Sequence, residues 1–80
     1  MTKTEIEADI AALAKAIEGE PKTLFVPTEL LHDIKRLGVG VPENINVLEV
    51  VSPDAADRAV GFYRMRGVHA RAYKGPSTAN

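Results

Sequence analysis

Isoleucine and leucine recur at Ile6, Ile10, Leu13 and Ile17, at helical spacings of four, three and four. Such spacing gathers the four side chains into one stripe of an α-helix. Thr2 and Glu5 stand in capping-box positions ahead of it, where each side chain reaches a backbone N–H of the first turn. Alanines at 8, 11, 12, 14 and 16 add helix propensity, and Gly19 followed by Pro21 stops the helix. The next apolar run, Thr23 to Val26, has no polar alternation, as expected of a strand covered on both faces. Pro27 ends it. Thr28 is placed to cap a second helix reaching Leu37, with Leu30, Leu31, Ile34 and Leu37 as its buried stripe. Gly38 then suits a left-handed helix end, with Val39 closing a Schellman contact, and Gly38 to Asn44 reads as a loop.

A second strand is predicted from Ile45 to Val51. Ile45, Val47, Glu49 and Val51 fall on one face, and Asn46, Leu48 and Val50 on the other. Ser52, Pro53 and Asp54 form a helix start: a hydroxyl cap, proline at the first position and an acid in the first turn. That helix is expected to run to about Arg66, burying Ala56, Ala59, Val60 and Tyr63, with Phe62 at the margin and Gly67 at its end. Val68, Ala70 and Ala72 alternate with His69, Arg71 and Tyr73, the pattern of a half-exposed edge strand. Residues 75–80 offer no reason to be ordered, so a single domain over 1–74 with a disordered tail is expected.

The order α-β-α-β-α-β specifies an α/β fold. Each strand-to-strand connection contains one helix, which favours parallel pairing through right-handed crossovers. A three-stranded, mainly parallel sheet covered by helices follows, with residues 24–26 at or near its centre. Order 2-1-3 sends the two crossover helices to opposite faces and is the expected one. Order 1-2-3 would put both on one face.

Composition narrows the functional classes. Eleven acidic and ten basic side chains nearly balance, which argues against a polybasic nucleic-acid or membrane peptide. There is no cysteine, hence no disulfide framework and no thiolate zinc site. No apolar run approaches a membrane span, and the polar, acidic N-terminus does not resemble a signal peptide; a soluble, cytoplasmic protein is expected. His32 and His69 lack any local metal-ligand spacing, and Ser52 has no neighbouring base to activate it. Neither a catalytic site, a metal nor a cofactor is expected. Thr28 and Ser52, at the strands' carboxyl ends, are the positions where an enzyme or small-ligand site would lie. Glu29 and Asp54 already put negative charge there.

Charge distribution is more informative than net charge. Residues 1–52 carry Glu5, Glu7, Asp9, Glu18, Glu20, Glu29, Asp33, Glu43 and Glu49 against five bases, a balance of −4. Residues 53–80 carry Asp54 and Asp57 against Arg58, Arg64, Arg66, Arg71 and Lys74, a balance of +3. One reading is that Glu5, Glu7, Asp9, Glu18, Glu20, Glu29 and Asp33 dock on a basic surface of another protein. The opposite reading has Arg64, Arg66, Arg71 and Lys74, with Tyr73 for stacking, bind a nucleic-acid backbone. Phe62, Met65 and Tyr73 form a further apolar patch suited to self-association.

Thr23 to Leu31, followed by Asn46 to Val51, resembles a strand-helix-strand stretch of phage major head proteins, which implies a phage structural or assembly role as an alternative. Eighty residues are too few for a whole shell subunit. In size, in lacking cysteine staples and in lacking catalytic groups, the chain is similar to small phage-encoded inhibitors, anti-CRISPR proteins among them. That resemblance implies a non-enzymatic inhibitor acting by surface contact on a CRISPR effector complex, in the host cytoplasm, by blocking its recruitment of nucleic acid.

Overall fold

A computed structural model describes residues 1–76. The element order is α1 (Lys3–Ala16), β1 (Lys22–Pro27), α2 (Thr28–Leu37), β2 (Ile45–Val50), α3 (Pro53–Arg64) and β3 (His69–Ala72). The three strands form one parallel sheet in the order β2-β1-β3. β1 is central because its side chains are apolar on both faces: every residue from Thr23 to Pro27 is buried. Leu24 and Val26 point to the face covered by α1 and α2, where they meet Ile6, Ile10, Ile17, Leu30, Ile34 and Ile45. Phe25 points to the other face and packs with Ala56 of α3 and Ala70 of β3. The Phe25 ring is tilted on Tyr63, centroids 5.0 Å apart. Two thin cores thus lie on either side of one strand.

Local signals set most of the ends. Thr2 and Glu5 make both bonds of the capping box, and Ser52 Oγ accepts the Ala55 N–H at 3.1 Å. Gly38 adopts a left-handed conformation, φ +68°. The N–H of Val39 then donates to Ile34 O and that of Gly38 to Lys35 O, completing the Schellman motif.

Several boundaries differ from expectation, each for a tertiary reason. β1 takes in Lys22 and Pro27, because β2 pairs with it along its whole length, while β3 pairs with Lys22 to Phe25. The cap of α2 is Pro27, with no side-chain bond; Thr28 is the first helical residue, and its hydroxyl donates 3.1 Å to Val50 O, tying α2 to β2. β2 stops at Val50, where its register with Pro27 runs out. α3 ends at Arg64 rather than Arg66, since the N–H of Val68 returns to Tyr63 O and turns the chain early. Gly75 and Pro76, expected in a disordered tail, are half-buried, with Gly75 lying against Leu30; residues 77–80 fall outside the described residues.

The turn from α1 to β1 depends on Gly19, at φ +94°, which passes beside His69. A Cβ at position 19 would lie 2.6 Å from the His69 ring. Gly19→Ala is expected to cost about 1–3 kcal/mol, since an L side chain is strained at this φ. The ring can rotate away but the backbone cannot. A melting curve should therefore show most of the loss persisting in Gly19→Ala/His69→Ala; full rescue would locate the cost in the ring contact instead.

Candidate functional site

All three helices start at the carboxyl end of the sheet. α2 and α3 follow directly from β1 and β2, and Met1, at the start of α1, lines the same cleft as Pro27 and Ser52. The first turns carry Glu5, Glu29 and Asp54, and the last turns Lys15, Lys35, Arg36 and Arg64. Each sign suits the helix dipole at its own end. In the fold, charge sorts by helix end rather than by position along the chain: acids from both parts stand in the first turns and bases from both parts in the last turns. Glu18 and Glu20 lie in the α1–β1 turn, at the amino end, apart from Glu5 and Glu29.

Where the connections from β1 and β2 leave for opposite faces, a cleft of about 430 Å³ opens at the carboxyl end. Its walls include Pro27, Glu29, Leu30, Asp33, Val51, Ser52 and Lys74. The Ser52 hydroxyl oxygen is occupied as a helix cap, and the Thr28 hydroxyl is committed to Val50 O. The acids of this end disfavour an anion in the cleft in spite of its two helix starts.

Several carboxylates proposed for docking serve the fold. Glu5 caps α1 and lies 4.0 Å from the Met1 amine. Glu7 accepts the Gly40 N–H at 3.1 Å, which ties α1 to the α2–β2 loop. Asp9 accepts the Tyr73 hydroxyl at 2.9 Å, and Asp33 pairs with Arg36 at 3.2 Å. Glu18, Glu20 and Glu29 are exposed and make no hydrogen bond or ion pair among the described residues.

The basic set is dispersed. Arg64 and Arg71 join His69 and Glu18 around a pocket of about 600 Å³ at the amino end. The Arg64 Nε–H is spent on Ala70 O at 2.9 Å. Arg66 lies over the Phe62 ring, 4.0 Å from its centroid. Lys74 is at the opposite end of β3, paired with Asp57 at 2.9 Å.

Tyr73 corrects the expectation of an exposed stacking residue. It is only 4% exposed and belongs to the core between the sheet and α1. Its alternation with Ala72 is as read, but α1 covers that face at its level, and this leaves the ring no base to stack on. Burial pushes its hydroxyl well above the usual tyrosine range, helped by the bond to Asp9 and by the negative charges of Asp9 and Glu5. Its burial also removes it from the expected self-association patch, while Phe62 and Met65 remain exposed. His32 is exposed on α2.

Sequence reasoning missed Leu48 and Val51. Their strand reads as apolar on both faces, yet β2 is an edge strand. Leu48 is 41% and Val51 85% exposed. No described helix is long and apolar enough to cross a membrane. Compared with protein-family models, curated proteins and solved structures, the chain matches none of them.

Proposed function

We propose that this is a non-catalytic protein-binding module whose acidic carboxyl end docks on a basic surface of another protein. The partner surface is one that otherwise holds nucleic acid, so that docking inhibits it in the manner of an anti-CRISPR protein in the host cytoplasm. One observation carries this reading: three helix starts converge on the same end of the sheet, bearing Glu5, Glu29 and Asp54 in their first turns. Acids already in these turns favour a cationic protein surface over an anion. Nearby hydroxyls are bonded within the fold, which favours contact over chemistry.

The test is capture from nuclease-treated host lysate by the tagged protein and by Glu29→Lys/Asp54→Lys. The expected result is a stoichiometric protein partner that survives nuclease, weakens with added salt and is lost at least tenfold by the double reversal. Each reversal costs the fold about 0.3–1 kcal/mol at a helix start, so a melting curve of the variant must accompany it. Capture indifferent to the reversal removes the proposal. Loss of all capture on nuclease treatment would favour a second reading, in which the pocket formed by Arg64, His69 and Arg71 holds a phosphate backbone.

A further inference from the structure

We infer that two copies of this chain pair antiparallel along the outer edge of β2, making one continuous six-stranded sheet. β2 pairs with β1 on one side only. Among the described residues no strand pairs with its other side; the strand runs about 20 Å at roughly 3.3 Å per residue, with the Ile45 N–H already bonded to Pro42 O and the Val50 C=O to the Thr28 hydroxyl. The strand Ile45–Val50 contains neither proline nor lysine, two of the usual guards of a free edge. β3, the opposite edge, is only four residues long and carries exposed His69 and Arg71.

The flank of β2 is prepared for a neighbour on both faces. On the α3 side, Arg64 bonds β3 and Asp57 pairs with Lys74, so that side of the helix leans toward β3. The other side of α3, carrying Phe62, is turned toward β2 on the helical repeat. Leu48, 41% exposed, and Phe62, 53% exposed with the Arg66 guanidinium over its ring, are thus both on the α3 side of the sheet. On the α2 side, Leu31, Val39, Val41 and Val47 line a groove of about 620 Å³ that has both Lys35 and Glu43 in its wall.

The occupant is argued from register and charge. Antiparallel pairing centred on Leu48 sets Leu48 against Leu48, Asn46 against Val50 and Val47 against Glu49 of the second copy. No like charges are opposed, whereas a register centred on Glu49 would oppose two carboxylates. Glu49 of the second copy then arrives beside Val47, in the groove that Lys35 borders. Antiparallel pairing also sets the acidic carboxyl end of each copy beside the basic amino end of the other. Charge polarity along the sheet axis is complementary to itself in this arrangement, and the interface is isologous.

Sedimentation equilibrium of the purified protein tests this, from micromolar to about 1 mM, the Kd at which binding free energy falls to about −4 kcal/mol. The mass is expected to rise from 8.6 kDa to twice that value. Leu48→Lys, which opposes two ammonium groups at the axis, should weaken the dimer at least tenfold. Lys35→Glu and Glu49→Lys should each weaken it, and the double exchange should restore it. All three positions altered in these variants, 35, 48 and 49, are exposed, and circular dichroism verifies that each variant is folded. A single-chain mass at 1 mM, a dimer indifferent to these substitutions, or a double exchange without recovery overturns the inference. None of these residues is altered in the Glu29→Lys/Asp54→Lys test, so failure of one proposal is distinguishable from failure of the other.

Discussion

Leu24→Ala is expected to lower stability by about 3–5 kcal/mol, the range for a buried leucine whose cavity cannot collapse. Leu24 is fully buried in the central strand, with β2 and β3 paired to either side. It faces the larger core, which is held by isoleucines from α1, α2 and β2. A strand fixed by hydrogen bonds on both sides cannot move into the space a lost isobutyl group leaves. A chain of this length has a total stability of roughly 4–12 kcal/mol, so the loss removes from about a quarter of it to all of it. Urea denaturation should show a lowered midpoint with unchanged slope. Leu48→Ala, on the same sheet but exposed, should change the monomer's stability by less than about 0.5 kcal/mol. Equal losses at 24 and 48 would mean that the strand order described here is wrong.

Tyr73 carries the second large effect, and two substitutions separate its parts. Tyr73→Ala removes a buried ring that closes the core between α1 and β3, with an expected cost of about 3–4 kcal/mol. Tyr73→Phe retains the ring and loses only the hydrogen bond to Asp9, about 1 kcal/mol. The two variants also differ from wild type in alkaline solution. Burial and Asp9 raise the folded pKa of Tyr73, so above about pH 10 the unfolded chain loses this proton while the folded one keeps it. With fewer protons on the unfolded state, stability falls as pH rises through that range. Wild type should therefore lose stability steadily above about pH 10. Tyr73→Phe should lack that share of the slope, which is absent in both proteins below it. Urea midpoints measured between pH 8 and pH 11 check this; parallel profiles for the two proteins would remove Tyr73 as the source.

Docking of the acidic end and pairing along β2 make different demands on the same small surface. The first uses charge gathered where helices begin. The second uses a backbone edge, with Leu48 and Phe62 on the α3 side of the sheet. In the antiparallel dimer the two acidic ends point in opposite directions, so each copy keeps one end for a partner.

The order of elements, most caps and the parallel sheet were legible in the chain because each rests on local rules. Helical spacing at Ile6, Ile10, Leu13 and Ile17, the Thr2–Glu5 box, the Ser52–Pro53 start and the Gly38 end all act within a few residues. One helix between successive strands makes parallel pairing the short solution, and an unbroken apolar run marks β1 as the centre. Alternation also told correctly which side chains of β2 and β3 share a face. It could not tell whether that face is covered. Tyr73 is buried because α1 lies over it, and Leu48 is exposed because α3 leans away toward β3. In the same way, acids and bases separated along the chain were regrouped by three helices starting at one end of the sheet. Half-buried Asp9 thereby accepts the hydroxyl of buried Tyr73, and Glu29 is exposed at the carboxyl end. Local sequence determined the elements and their inward faces, since these depend on backbone preference and side-chain period. Only the tertiary structure decided exposure and charge grouping, since both depend on what distant elements come to lie against.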